Sequence, residues 1–307
     1  MKTISNLGET GLIRRIARTI RTDRTVRRGI GDDCAVLSVP SGRGRYLLFA
    51  SDMLVEKVHF LSQADPASLG WKGLAVNVSD FAAMGGVPRH AVVSLGVPKR
   101  TLVSFIDRLY RGLNRCARRF GVNLVGGDTD RSAQLVIDVA ILGEVEKERL
   151  VLRSGARPGD HLLVTGRLGG AVRTGRHLKF TPRLAEARAI GGRAKIHAMI
   201  DLSDGLGPDL VRLCEASRVG AVLEGAFIPR HRGCSLPQSL TEGEDFELLM
   251  AVPPDQAGRL LRWARGNLPC GLTPIGRIVS RRQVPGVHLV VPPGMRAPVS
   301  LTGFQHF

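Results

Sequence analysis

No apolar run in this sequence approaches the roughly 20 residues that a membrane-spanning helix needs, so a helical span is excluded as its organising element. Cysteine is sparse: five residues, at 34, 116, 214, 234 and 270, an odd number with no C-x-x-C pair. That spacing excludes a disulfide framework and a zinc site, and it reads as reduced thiols in a cytoplasmic protein. Aromatic residues make up only 5%, too few for the stacking platforms that hold single-stranded nucleic acid. Met1-Lys2-Thr3-Ile4-Ser5 leads into a polar helical pattern rather than an apolar signal core, so export is not expected. There is no G-x-x-x-x-G-K-[ST] loop, no protein-kinase motif set and no Ser-His-Asp or Cys-His arrangement.

Arginine, by contrast, is abundant. The net charge is +17, and arginine outnumbers lysine about five to one. The arginines are spread from Arg14 to Arg296, in pairs too short to form a basic tail. A nucleic-acid-binding protein is the competing class, recognisable by salt-sensitive binding without turnover. The dispersal fits a compositional bias that also attracts phosphates, so neither nucleic acid nor membrane is expected as a partner.

At 307 residues, with 43% hydrophobic and 23% charged, the chain reads as a globular protein of two domains. Apolar periodicity predicts helices over 7–20, from Asp65-Pro66 to the glycines at 85 and 86, over 101–120 and over 206–217. Strands are expected at 34–39, 45–51, 91–97, 122–126, 134–144, 161–165, 198–202 and 220–223. Gly166-Arg167-Leu168-Gly169-Gly170 is read as a helix start rather than a phosphate loop. The tail from 253 onward, rich in proline, glycine and arginine, resists assignment. The class is α/β (α+β), with a boundary near 150 that separates residues 1–150 from 151–307.

Five segments place an aspartate beside glycine or serine at a strand end or on a helix. They are Gly29–Asp33, Ala50–Asp52, Asn77–Asp80, Gly126–Thr129 and Asp201–Gly205. One such segment alone is ordinarily a turn or a helix cap. Five of them can converge on a cleft, where hard oxygen ligands suit Mg²⁺ and the neighbouring glycines let backbone N–H groups approach phosphate. Asn77 and Asp80 share one face of an apolar helix, so Asp80 needs either a metal or an arginine as partner.

Read together, G-I-G-D-D-C-A-V at 29–36, S-D-M-L-V-E-K-V-H-F at 51–60, N-V-S-D-F-A-A-M-G at 77–85, G-G-D-T at 126–129, R-S-G-A-R-P-G-D at 153–160, I-D-L-S-D-G-L at 200–206 and G-E-D-F-E-L-L at 243–249 resemble the thiamine-monophosphate kinases of the aminoimidazole-ribonucleotide synthetase superfamily. The resemblance implies a homodimer whose N-terminal sheets pair, a C-terminal α/β domain, and phosphorylation of thiamine monophosphate by ATP. It further implies several Mg²⁺ ions on Asp33, Ser51, Asp52, Asp80, Asp128, Asp201 and Asp204, with K⁺ as an optional companion. Tyr110, Gly127, Asp128, Arg153 and Ser203 would touch the nucleotide; His59, Glu244 and Phe304 would surround the acceptor. Asp32 is expected to support its turn instead.

Three departures from the family pattern stand out. Lys57 and Glu242 each occupy a position where the family has glycine, and the family's longer helical segment after Gly166 is missing. Aminoimidazole ribonucleotide synthetase, of the same superfamily, remains the alternative enzyme. The reactive N-terminal Cys-Lys pair of selenophosphate synthetase and the terminal cysteine of the hydrogenase-maturation dehydratases are both absent.

Overall fold

The computed structural model describes residues 4–39, 44–291 and 295–299. Helix α1 (Ile4–Ala17), broken at Gly8, precedes strands β1 (Val26–Arg28), β2 (Ala35–Ser38) and β3 (Arg45–Val55). Helix α2 (Pro66–Ala83), β4 (Val87–Val97), α3 (Val103–Phe120), β5 (Asn123–Arg131) and β6 (Val136–Glu146) complete the first half. These strands form one sheet in the order β1-β2-β3-β6-β4-β5, antiparallel except for the β4–β5 pair. Strands β3 and β5 run longer than the periodicity predicts, β5 straight through Gly126-Gly127-Asp128-Thr129.

The second half holds β7 (His161–Thr165), α4 (Leu184–Gly191), β8 (Ala198–Asp201), α5 (Leu206–Ser217), β9 (Gly220–Glu224), α6 (Leu236–Thr241) and β10 (Leu248–Val252). The tail that resisted assignment folds as α7 (Pro254–Asn267), β11 (Leu272–Val279), β12 (Val287–Val291) and β13 (Met295–Pro298). Its sheet runs β13-β12-β9-β11-β7-β10-β8. Alternation along β7 and β10 sends Leu162, Val164, Leu249 and Ala251 to one core and Leu163, Leu248, Met250 and Val252 to the other, so this sheet is covered on both faces.

The expected helix start at Asp65-Pro66 is present: the Asp65 carboxylate accepts the Ser68 N–H at 2.9 Å and Pro66 opens the first turn. Helix α2 is buried nearly all round. One side lies on the first sheet, Ala82 and Ala83 enter a core of the second half, and α3 covers a third side. The α2–α3 crossing is unusually close and reciprocal. A Cβ on Gly70 would stand 1.9 Å from the Leu109 carbonyl oxygen, and one on Gly112 would stand 1.9 Å from that of Ala67.

Further ties join the halves. Trp71 Nε1 donates to the Phe180 carbonyl at 2.7 Å, and Arg188 grips Glu146 through two bonds of 2.6 and 2.8 Å. The far face of the first sheet is left open, with Phe49 47%, Met53 54% and Val125 61% exposed. Among the described residues, no helix is long and apolar enough to cross a membrane.

The Gly166–Gly170 expectation is corrected. No helix starts there: Gly166, Gly169 and Gly170 all have positive φ (61°, 85° and 74°), and the segment ends in a single 3₁₀ turn at Arg176–Leu178. The helical periodicity was absent from the start, and three left-handed glycines in five residues cannot nucleate an α-helix.

Gly112→Ala should destabilise the protein by about 3 kcal/mol or more, because the clash is with backbone that cannot rotate away. Urea unfolding checks this; a midpoint close to that of the wild type would show that the helices can separate.

Candidate functional site

Four of the five acidic segments meet where the two halves of the chain touch. Asp33 follows β1, Asp80 lies on α2 and Asp201 ends β8; one carboxylate oxygen from each falls within 4.8 Å of the others. Asp52 on β3 faces inward and bonds Asp80, whereas its neighbour Ser51 faces the open side of the sheet and donates to Asp138 at 2.9 Å. Ser79 Oγ donates to Asp201 at 2.6 Å, so α2 also positions the acid contributed by the second half.

Arg153 is the guanidinium in this group. Its side chain holds Asp33 (Nε at 3.1 Å, Nη2 at 2.5 Å), and its backbone N–H donates to Asp32 at 2.6 Å. Asp32 also binds Arg28, which gives it the turn-supporting place expected of it. The arginine expected as the alternative partner of Asp80 therefore pairs with Asp33 instead.

Burial first, and mutual repulsion next, push the Asp80 carboxyl well above its ordinary range. The same causes raise Asp33, although Arg153 draws it back, and raise Asp201 well above the ordinary value. Asp52 is pushed up to about 6, chiefly by burial. Such a group of carboxyls is stable with protons or with a cation. Asp33 Oδ2 is buried with no hydrogen-bond partner, an orphan acceptor pointing to the second option. Mg²⁺ is held by hard oxygen ligands, and three carboxylate oxygens within 4.8 Å of one another could share one such ion. The donors are all hard oxygens, and they fit the ion.

A cleft of about 840 Å³ opens over the cluster. Ser51, Ser203, Asp204, His59 and Glu244 also line it. Asp204 does not join the three-acid cluster: Arg212 holds it at 2.5 Å and bridges to Asp209 at 2.7 Å. Tyr110, Gly127 and Asp128 are not among the cleft residues. Tyr110 packs from α3 onto the first core, and Gly127 and Asp128 stand on the edge strand β5. Phe304 lies outside the described residues.

Three site residues escape the sequence reading. Asp138 shares a cross-strand row with Met53, Ser94 and Asp128 on the open face. Asp209, pushed up to about 7 mainly by burial, accepts the backbone N–H groups of Asp204 and Gly205 and so shapes their loop. Lys72 is fully buried on α2, donating to Glu244 Oε2 at 2.5 Å and to the His59 carbonyl at 3.2 Å. A lysine inside an apolar helix pattern was the available signal.

His59 Nδ1 accepts the Val55 N–H at 2.9 Å, a bond that fixes the ring against its own turn. Lys57, two residues earlier, has φ 68°, which explains the family's glycine there. Glu244 also has φ 69°; its N–H donates to the Ser203 carbonyl at 2.6 Å, and a Cβ on Gly243 would stand 2.4 Å from that same oxygen. The other two departures fit one another: Glu242 accepts the Gly170 N–H at 2.5 Å, and so anchors the shortened loop.

This two-sheet architecture is shared with a described class. The family descriptions "AIR synthase related protein, N-terminal domain" and "C-terminal domain" match residues 31–145 and 157–287. Within that class the curated relatives narrow the assignment. Thiamine-monophosphate kinase of Salmonella typhimurium is 36% identical over 98% of each chain, and that of Synechococcus elongatus is 33% identical over 85% of this chain and 86% of its own. A solved structure of AaThiL complexed with AMPPCP and TMP superposes with a TM-score of 0.86 at 31% identity, covering 100% of this chain and 99% of its own. The chain belongs to the thiamine-monophosphate kinase family. The Salmonella alignment spans 332 positions, longer than this chain itself, so that relative carries segments missing here.

Two measurements follow. Each clustered carboxyl has a folded pKa above its unfolded value of 3.8, so the folded state holds protons that the unfolded state releases. The cluster's contribution to stability therefore falls as pH rises from about 4 to beyond 6, and a bound cation reverses the loss. The rise in thermal midpoint on adding Mg²⁺ should accordingly be larger at about pH 8 than at about pH 5.5; equal rises would refute a metal bound by these acids. Lys57→Gly should stabilise the fold by about 1 kcal/mol, because it removes a side chain from a left-handed backbone. Chemical denaturation reads that change, and a loss of stability would contradict it.

Proposed function

We propose that this chain transfers the terminal phosphate of ATP directly to thiamine monophosphate, forming thiamine diphosphate, with several Mg²⁺ ions held at the acidic cluster. The observation that carries the reading is the meeting of Asp33, Asp80 and Asp201, one oxygen orphaned, in a cleft that also exposes His59 and Glu244. The names of the curated relatives supply the substrate.

The chemistry asks little of a general base. The acceptor is a phosphate oxygen already anionic near neutral pH, and phosphoryl transfer depends mostly on alignment and charge neutralisation. Bound Mg²⁺ would supply that neutralisation, on Asp33, Asp52, Asp80 and Asp201 with Asp204 on the rim. Arg153 adds a fixed guanidinium, and Ser203 lies on the loop that contacts Glu244. His59 lines the cleft and is proposed beside the acceptor phosphate, and Phe304 is proposed beside the acceptor on the strength of the family resemblance alone.

In the same reading residues 1–150 form the ATP/Mg-binding and dimerisation domain, and residues 151–307 form the C-terminal domain that adds Asp201, Asp204, Arg153 and Ser203 to the cleft. Tyr110, Gly127 and Asp128 stand off this chain's own cleft, so their nucleotide role depends on a homodimer. The exposed Phe49, Met53 and Val125 on the open sheet face support such an assembly. All five cysteines are unpaired, which suits a cytoplasmic enzyme.

Incubation with ATP, Mg²⁺ and thiamine monophosphate, with and without K⁺, should yield thiamine diphosphate. Turnover of a different phosphorylated acceptor alone would remove the substrate assignment. Asp80→Asn should lower kcat by about 100-fold or more while the circular dichroism spectrum is retained; near-normal turnover would mean that Asp80 holds no metal.

A further inference from the structure

Lys72 has no part in the reaction described above, yet it is among the least expected side chains in the molecule. Its relative exposure is 0%, and its helical neighbours Leu69, Gly73, Leu74, Ala75 and Val76 are apolar or small. A buried ammonium group costs several kcal/mol unless it is paired and hydrogen-bonded. Replacing such an ion pair by apolar groups is often neutral or stabilising, so packing alone gives no reason to keep a charge here.

The partners of this ammonium group indicate a reason. Nζ donates to the carbonyl oxygen of His59, on the turn that follows β3, and to the carboxylate of Glu244, on the loop before β10. These two residues come from opposite halves of the chain, and they are the two acceptor-site candidates that the structure places in the cleft. Both stand in turns that include a left-handed residue. Glu244 is left-handed at φ 69°, and the His59 turn begins at left-handed Lys57. Lys72 bridges the two directly.

Helix α2 also sets a distance. Asp80 lies eight residues beyond Lys72, about 12 Å along the axis at 1.5 Å per residue. Val76, between them, lines the same cleft. The helix thus spans from the cluster that takes the transferred phosphate to the pair that contacts the acceptor.

We propose that Lys72 is a positioning residue for the phosphate acceptor, its buried ammonium group holding Glu244 and the His59 turn at a fixed separation from the Asp80 cluster. This rests on the assignment of thiamine monophosphate as acceptor. Lys72→Met removes the charge and keeps the bulk. In steady-state assays it should raise KM for thiamine monophosphate about tenfold or more, and leave KM for ATP within about threefold.

Lys72→Arg, which keeps the charge but moves the donors, should fall between Lys72→Met and the wild type. Lys72→Met combined with Glu244→Gln should be no worse for the acceptor than the poorer single variant, because both act through one contact. It also relieves the unpaired carboxylate, and serves in place of Lys72→Met if that variant fails to fold. Equal rises in KM for both substrates would reduce Lys72 to a structural tie between the halves. An unchanged acceptor KM, or fully additive effects, would overturn the proposal outright. Absence of thiamine diphosphate from the wild-type assay would instead remove the acceptor assignment, and the positioning role with it.

Discussion

Four carboxylates crowd one buried volume between two sheets, and their repulsion sets the terms for the surrounding structure. Asp33, Asp52 and Asp80 come from the first half and Asp201 from the second, with Arg153 the guanidinium among them. A collection of like charges in a medium of low polarity is tolerable only if its members are protonated or share a cation. The fold must therefore hold these groups together against their own field. It does so by burying α2 between the two halves and by locking Ser79 to Asp201, Lys72 to Glu244 and Arg188 to Glu146.

What could be read in advance followed the periodicity of the chain. Asp80 was legible because an acid on an apolar helix face has few options, and the Asp65-Pro66 start of that helix is written in local chemistry. Asp52 was read as a strand-end acid, but β3 runs on to Val55 and places it mid-strand; Asp201 was legible as one. Residues whose role arises only from tertiary placement were not. Asp138 sits mid-strand and matters because β6 runs beside β3; Asp209 looks like any first-turn helical acid until its bonds to the Asp204–Gly205 backbone are seen. Asp128 looked equivalent to the other four acids by motif. Strand order separates it, since β5 is an edge two strands away from β6.

Two of the departures from the family pattern meet at one hydrogen bond, from the Gly170 N–H to Glu242. The shortened loop after Gly166 leaves backbone N–H groups to satisfy; Asp245 takes that of Gly169 and Glu242 that of Gly170. Lys57 differs: its left-handed backbone is supported within its own turn, where its N–H donates to the Phe60 carbonyl at 2.7 Å. Sequence comparison treats the three alike, whereas the hydrogen bonds separate them.

The reciprocal glycine crossing bears on the basic character of the chain. Gly70 and Gly112 fasten α3 to α2 through backbone contact, so α3 needs only its inner stripe of Leu109, Gly112, Leu113, Cys116 and Ala117 to stay in place. Its outer side carries Arg108, Arg111, Arg115, Arg118 and Arg119, all exposed. A helix secured this way can accumulate arginine on its outside without moving the cleft. Part of the +17 charge is thus free to drift with the composition of the genome, while the acids across the molecule stay where the chemistry needs them.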